Sequence, residues 1–129
     1  MQKNTSNNPS NKDLVILLAG STGYIGETLK TELLYRNLTV ICPIRKSENG
    51  LLNQSYSRRL KIEIVDICSL SDAKKLARKY KAIDIIISCI GSRNGSKKEA
   101  TEVEYNANKN LLELGKNCTV KQFILLSAI

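Results

Sequence analysis

The glycine-rich segment at residues 20–26 constrains this chain more than any other part of its sequence. It reads Gly-Ser-Thr-Gly-Tyr-Ile-Gly, follows an apolar run at residues 14–19 and opens an amphipathic run that ends at Arg36. A strand, a glycine-rich turn and a helix in this order form the setting in which proteins bind the pyrophosphate of a dinucleotide. The three glycines permit a tight turn, close approach of the backbone to phosphate, and close packing of the helix on the strand.

The start of the predicted helix supplies the groups that would hold the pyrophosphate. Its first N–H groups have no partners within the helix, and its dipole places positive charge at the same end, so both attract an anion. A turn that merely joins a strand to a helix is the alternative, which the flanking pattern disfavours. We therefore predict that the whole turn binds a dinucleotide, through Gly20, Ser21, Thr22, Gly23, Tyr24, Ile25 and Gly26.

Length and composition indicate one globular domain. The chain has 129 residues, of which 42% are hydrophobic and 25% charged, which is typical of such a domain. No apolar run reaches the roughly 18 residues that a membrane-spanning helix needs, so no transmembrane segment is expected. Residues 1–12 are rich in Asn, Ser and Lys and predict a disordered polar tail without a secretory signal, which leaves residues 13–129 as the domain.

The charge and the cysteines each exclude a class of function. The net charge is +8 at pH 7, but the basic residues are spread along the chain and aromatic residues do not interleave with them, so no nucleic-acid partner is expected. The four cysteines form no CxxC pair and histidine is absent, so no metal site is expected. Reduced cysteines within apolar runs are typical of a reducing compartment such as the cytoplasm.

Apolar and amphipathic runs alternate along the chain, which predicts a Rossmann-type α/β fold. Parallel strands joined by right-handed helical crossovers give a doubly wound sheet with strand order 3-2-1-4-5. The carboxyl ends of strands one and four then form the ligand crevice. On the first helix, an apolar side of Ile25, Leu29, Leu33 and Leu34 is expected to face the sheet. The predicted strands are residues 13–19, 38–44, 60–67, 83–90 and 122–127, and the predicted helices are 24–36, about 70–80 and about 99–116.

The sequence ends just after the fifth predicted strand, whereas a complete enzyme of this fold continues with further helices and strands. We therefore expect a C-terminally truncated, partial NAD(P)-binding domain that does not turn over substrate by itself. The fifth strand would be an exposed apolar edge, through which self-association is expected.

The end of the second predicted strand indicates which dinucleotide binds. NAD-binding proteins usually place Asp or Glu there, to accept hydrogen bonds from the ribose hydroxyls. Here Arg45 and Lys46 occupy the position, and no carboxylate precedes Glu48. A guanidinium can pair with a 2′-phosphate and stack on adenine, so NADPH is the predicted cofactor. A solvated basic loop is the alternative for both residues.

Two further strand ends are predicted to contact the cofactor. Asp66 and Ile67 would cover the adenine edge, with the Asp66 carboxylate accepting from the adenine amino group, although Asp66 is also typical of a turn before a helix. The backbone after strand four would pass under the adenosine ribose and the pyrophosphate. The residues predicted there are Cys89, Ile90, Gly91 and Ser92.

The glycine motif, the basic end of strand two and three later segments together resemble the short-chain dehydrogenase/reductase superfamily, in its atypical NmrA-like branch. The later segments are residues 84–93, 104–112 and 122–129, which look like the divinyl chlorophyllide 8-vinyl reductases. The likeness covers about residues 13–129. It implies NADPH-dependent reduction of a vinyl group on a tetrapyrrole precursor of chlorophyll, in the plastid stroma or at the periphery of photosynthetic membranes.

The same resemblance implies no catalytic residue within this chain. The family's substrate region and its lysine-bearing helix have no counterpart here, and Ser127, at the end of strand five, lacks partners. Tyr105 and Lys109 fit the YxxxK pattern of dehydrogenases, but they precede strand five and are predicted not to be catalytic. Two alternatives stay open: a non-catalytic NmrA-like NADP(H)-binding sensor or assembly factor, and a basic interaction protein in which the fold is only a scaffold.

Overall fold

The computed structural model describes residues 14–46, 57–90 and 97–126, which form a parallel sheet and three helices. In chain order the elements are β1 (Val15–Ala19), α1 (Tyr24–Tyr35), β2 (Thr39–Ile44), β3 (Leu60–Ile64), α2 (Leu70–Lys79), β4 (Ile85–Ser88), α3 (Lys97–Lys116) and β5 (Gln122–Leu125). The sheet order is β3-β2-β1-β4-β5, which confirms the predicted order 3-2-1-4-5 and the Rossmann-type fold. No helix within these ranges is long and apolar enough to cross a membrane. The predicted tail, residues 1–12, lies outside the described residues.

The central strand β1 is buried on both faces, because helices cover both sides of the sheet. Ile16 and Leu18 pack in one apolar cluster with Leu33 of α1, whereas Leu17 and Ala19 pack on the opposite face with residues of α2 and α3. Successive side chains of a strand point to opposite faces, so a strand covered on both sides needs an apolar residue at every position. This requirement explains the continuous apolar run that the sequence shows there.

Several elements have different limits from those predicted. Strand three was predicted to continue to residue 67, but β3 ends at Ile64 and the chain turns at Asp66. The Asp66 carboxylate accepts a hydrogen bond from the backbone N–H of Cys68 at 2.9 Å, and Ser69 caps α2 by accepting from the N–H of Asp72 at 3.3 Å. Side chains that bind the local backbone in this way compete with strand pairing. The strands β4 and β5 are also shorter than predicted, and α3 begins earlier, at Lys97.

The helix α1 buries its predicted apolar side at Leu33, with Leu29 and Leu34 partly buried against the same core cluster, but the prediction is wrong for Ile25. Its buried residues are Gly26, Lys30 and Leu33, whereas Ile25 is 54% exposed. Gly26 brings the helix so close to the end of β1 that the stripe at positions 26, 30 and 33 faces the sheet, and Ile25 turns outward. A lysine therefore occupies a place where the period of the helix requires a buried side chain.

The strand β5 forms an edge of the sheet and pairs with β4. Its segment leaves Ile124, Leu125 and Leu126 substantially exposed. An edge of this kind has unpaired backbone groups and apolar side chains, which together can accept another strand. Self-association through this edge stays a prediction.

The carboxylate of Glu63 on β3 holds the end of α2. It lies 2.8 Å from Lys79 Nζ and accepts a hydrogen bond from the Tyr80 hydroxyl. Burial raises the pKa of this carboxyl, but the hydrogen bonds from Lys79 and Tyr80 outweigh burial, and the pKa is lowered from its ordinary value of 4.5. A carboxyl with a lowered pKa in the folded state stabilises the fold above its unfolded pKa, and this contribution is lost as the pH falls through the lowered value.

We expect Glu63→Gln to lower the free energy of unfolding by about 1 kcal/mol at neutral pH. The loss should be smaller at an acidic pH below the lowered pKa of Glu63, where the wild-type carboxyl is itself protonated. Urea unfolding at the two pH values measures the difference. Glu113→Gln is the control, because that carboxylate is half exposed and pairs with Lys116 on the same helix. An equal loss from Glu63→Gln at both pH values would contradict the assignment.

Candidate dinucleotide-binding site

The turn between β1 and α1 has no room for side chains at two of its glycines. Gly20 has a φ of +83°, and a Cβ there would lie 2.7 Å from the carbonyl carbon and oxygen of Cys89. A Cβ on Gly26 would lie 1.9 Å from the carbonyl oxygen of Gly20. Contacts this short are sterically forbidden, so the turn packs between the first turn of α1 and the end of β4 only because both residues are glycine.

The N-terminus of α1 leaves its first backbone donors for a ligand. Gly23 is the N-cap residue, has extended backbone angles and supplies no side-chain cap. Its carbonyl accepts the first helical hydrogen bond, from the N–H of Glu27 at 2.8 Å. Helical geometry therefore directs the N–H groups of the intervening residues, Tyr24, Ile25 and Gly26, out of this end of the helix. The side chains of Tyr24 and Ile25 are exposed beside it.

Ser21 and Thr22 differ in how they can contribute to the turn. Ser21 is buried, and its hydroxyl points into the protein near the Cys42 thiol, although it makes no hydrogen bond of normal geometry with the described residues. Ser21 can therefore meet a ligand through its backbone only. Thr22 is half-buried.

The basic residues predicted to select the cofactor follow the neighbouring strand. The register pairs Leu17 with Ile41, so the ends of β1 and β2 reach the same edge of the sheet. Arg45 and Lys46 are exposed there, directly after β2. Burial and the Asp66 carboxylate raise the pKa of the Cys68 thiol, whereas the Arg45 guanidinium lowers it, so Arg45 lies near the loop that follows β3.

That loop carries the predicted adenine contacts, and α3 holds it in place. Asp66 is exposed, whereas Ile67 is half-buried against the core. The carbonyl of Ile67 accepts a hydrogen bond of 2.9 Å from the Asn110 side chain, which is 7% exposed. The sequence reasoning missed Asn110. Its position among buried Ala107, Leu111 and Leu114 was the available signal, because a polar residue on a buried helix face needs a partner.

The chain continues from β4 along the turn. The N–H of Cys89 donates to the carbonyl of Ala19 at 2.9 Å, which extends the pairing with β1 past the end of β4. Burial raises the pKa of the Cys89 thiol, so this side chain is neutral and contributes no charge. Cys89 and Ile90 therefore lie beside the glycine turn, and their contact with a coenzyme stays a prediction. Gly91, Ser92 and Ser127 fall outside the described residues.

The Tyr105–Lys109 pair lies on α3, before β5. The Tyr105 side chain is exposed, and Lys109 Nζ lies 5.9 Å from the centre of its ring. The ammonium group stacks on the ring face, as an i,i+4 pair on any exposed helix can do. The prediction that this pair is not catalytic is unchanged.

Four predicted segments therefore meet at the carboxyl edge of the sheet: the glycine turn, the basic residues after β2, the loop after β3 and the start of the chain after β4. This edge of the sheet therefore combines the backbone donors at the α1 N-terminus with the exposed basic residues that follow β2. Residues 16–128 match the NAD dependent epimerase/dehydratase family. The chain belongs to this family.

Two curated relatives are similar to this chain over nearly its whole length. The chain is 36% identical over 130 residues to the divinyl chlorophyllide a 8-vinyl-reductase of Arabidopsis thaliana, a chloroplastic protein, covering 95% of this chain and 31% of the reductase. It is 29% identical over 144 residues to the chloroplastic Protein TIC 62 of the same plant, covering 97% of this chain and 22% of that protein. The chain thus spans under a third of the length of these relatives.

A solved structure confirms the fold class. Yeast methylglyoxal/isovaleraldehyde reductase Gre2, determined with NADPH, superposes with a TM-score of 0.71 at 21% identity. The superposition covers 89% of this chain and 37% of the yeast protein. At this level of identity the likeness supports the architecture and leaves substrate open.

We expect Gly26→Ala to lower the free energy of unfolding by at least about 2 kcal/mol, because the added methyl group meets a backbone carbonyl that cannot move aside. Gly115→Ala is the matched control. Its added Cβ would meet Ile86 Cδ1 at 3.4 Å, an ordinary contact, and alanine favours the helix. Urea unfolding of the two variants tests the turn: equal stabilities would show that α1 does not approach Gly20 as closely as described.

Proposed function

We propose that this chain is the NADPH-binding part of a reductase of the divinyl chlorophyllide 8-vinyl reductase type. The observation that carries the proposal is the Gly20–Gly26 turn, closed against the end of β4 with Arg45 following the adjacent strand. The similarity to the Arabidopsis reductase supports the choice of reaction. The coenzyme would supply a hydride, and the role of this chain is to bind and orient the coenzyme.

Each segment of the site has one role in this proposal. The N–H groups of residues 24–26 bind the pyrophosphate, where the dipole of α1 adds positive potential. Arg45, helped by Lys46, pairs with the 2′-phosphate of the adenosine. Asp66 and Ile67 border the adenine, and the backbone of Cys89 and Ile90 passes beneath the ribose. No side chain of this site is assigned to proton transfer.

The proposed substrate is a tetrapyrrole that carries a vinyl group. Reduction adds a hydride to one vinyl carbon and a proton to the other, which converts the vinyl group into an ethyl group. The chloroplastic origin of the relatives supports the plastid stroma as the location, at the periphery of photosynthetic membranes.

Titration of the chain with NADPH and with NADH tests the cofactor assignment. We expect tighter binding of NADPH, and a loss of about tenfold in NADPH affinity in Arg45→Ala with little change for NADH, because the guanidinium forms a charge-assisted pair with the extra phosphate. Arg36→Ala is the control, since Arg36 is exposed at the far end of α1 and pairs with Glu32. Equal affinities for the two coenzymes would exclude selection by Arg45.

A chimera tests the proposed reaction. Residues 14–129 of this chain replace the matching segment of the Arabidopsis reductase, and the product of NADPH and divinyl chlorophyllide is analysed by chromatography. We expect the ethyl product, and we expect Gly26→Val in the chimera to abolish it, because the coenzyme turn cannot form. A folded chimera that binds NADPH without reducing the vinyl group would contradict the reductase assignment.

Protein TIC 62, to which the chain is also similar, is not named as a reductase. This similarity leaves a second candidate, a non-catalytic NADP(H)-binding sensor or assembly factor. Such a protein would bind the coenzyme at the same site as the reductase but would not catalyse a reduction. NADPH binding together with an inactive, folded chimera would support it over the reductase.

A further inference from the structure

Lys30 is a buried charge beside the proposed coenzyme site. Only 1% of the residue is exposed, and it lies on the stripe of α1 that faces the sheet, between Gly26 and Leu33. Burial of an ammonium group is unfavourable unless an opposite charge and hydrogen bonds compensate it. An apolar side chain would fill this position without that cost, so the charge itself calls for an explanation.

The compensating charge is Glu27, one turn earlier on the same helix. Lys30 Nζ lies 2.9 Å from one Glu27 carboxylate oxygen and 3.1 Å from the other. The Glu27 side chain is 34% exposed and sits in the first turn of α1, at the end that is proposed to bind phosphate. One partner of the pair is therefore fully inside the protein, and the other reaches solvent at the site.

The pair lies near Cys42 of β2, a strand that packs against α1. Cys42, three residues before Arg45, feels both charges: burial raises the pKa of its thiol to about 11, the Ser21 hydroxyl and Lys30 lower it, and Glu27 raises it. Ser21 belongs to the turn, and Cys42 faces α1 from the sheet. Because Glu27 lies in the first turn of α1 and α1 packs against β2, a net charge on this pair would act on both parts of the site that are proposed to hold phosphates.

The carboxylate of Glu27 would weaken phosphate binding at this end of α1 if it were unpaired. A carboxylate in the first turn of a helix favours the helix dipole, so Glu27 stabilises α1 when no anion is bound. The same carboxylate, if unpaired, would repel phosphate groups that approach this end. Repulsion would be stronger for NADPH than for NADH, because NADPH carries the additional 2′-phosphate.

We propose that Lys30 strengthens the preference of Arg45 for the 2′-phosphorylated coenzyme by neutralising Glu27 from inside the protein. Lys30 is thus a specificity-determining residue that does not touch the coenzyme. Arg45 attracts the 2′-phosphate, and Lys30 removes a charge that would oppose it. The inference rests on the proposed binding of NADPH.

The test measures dissociation constants of NADPH and NADH by calorimetry for the 129-residue chain and three variants. In Lys30→Met the unpaired carboxylate should weaken NADPH binding by about threefold to tenfold and NADH binding by less. In Glu27→Gln the amide oxygen still accepts from Lys30, and the excess positive charge should strengthen NADPH binding. The double variant removes both charges and should return the NADPH-to-NADH ratio to within about twofold of wild type.

Lys116→Met is the matched control, because Lys116 and Glu113 form a pair with the same three-residue spacing, exposed near the end of α3. It should leave the ratio unchanged. Added salt should shrink the differences among the Glu27 and Lys30 variants, since their cause is electrostatic.

The outcomes separate this inference from the proposed function. If wild-type protein binds NADPH preferentially and folded Lys30→Met keeps the same ratio, Lys30 is structural and the inference is overturned, while the proposed function stands. If Lys30→Met does not fold, an unchanged ratio in Glu27→Gln overturns the inference equally. If the wild-type chain binds no dinucleotide, the proposed function fails and the inference fails with it.

Discussion

The approach of α1 to the carbonyl of Gly20 is the contact on which the rest of the site depends. Because Gly26 has no side chain, the first turn of α1 can lie against the end of β1, and Gly20 can in turn lie against Cys89. These contacts place the helix N-terminus directly over the switch between β1 and β4, where the strand order reverses. Without these contacts α1 would lie farther from the sheet, and the backbone N–H groups at its N-terminus would not face the crevice.

The sequence predicts the architecture well because its determinants are local and repeated. Strands buried on both faces need continuous apolar runs, and the glycine turn marks where the first strand ends. The order of elements, the strand order and the grouping of the glycine turn with Arg45 and Cys89 therefore follow from the chain alone. Strand limits were less accurate, since Asp66 turns the chain through its own side chain before the β-branched run ends.

Two features of the site depend on contacts between distant residues, and helical periodicity could not reveal them. Ile25 looked like a core residue, but the closeness imposed by Gly26 rotates the buried stripe of α1 onto Lys30. Asn110 is separated by 43 positions from Ile67, whose carbonyl it binds. No residue near Ile67 in the sequence indicates that Asn110 is its partner. In both cases a polar group stands where a pattern of apolar residues would be expected, and the structure supplies the reason.

The hydrogen bond from Asn110 to Ile67 has a consequence for communication across the molecule. It fastens the loop after β3, which is proposed to border the adenine, to the middle of α3, a helix that crosses from β4 to β5 on the same face as α2. A displacement of α3 would carry the loop with it, so contacts made along the outer surface of this helix would reach the loop after β3 through Asn110. The loop after β3 is thus linked mechanically to α3 by a hydrogen bond that does not depend on a bound ligand.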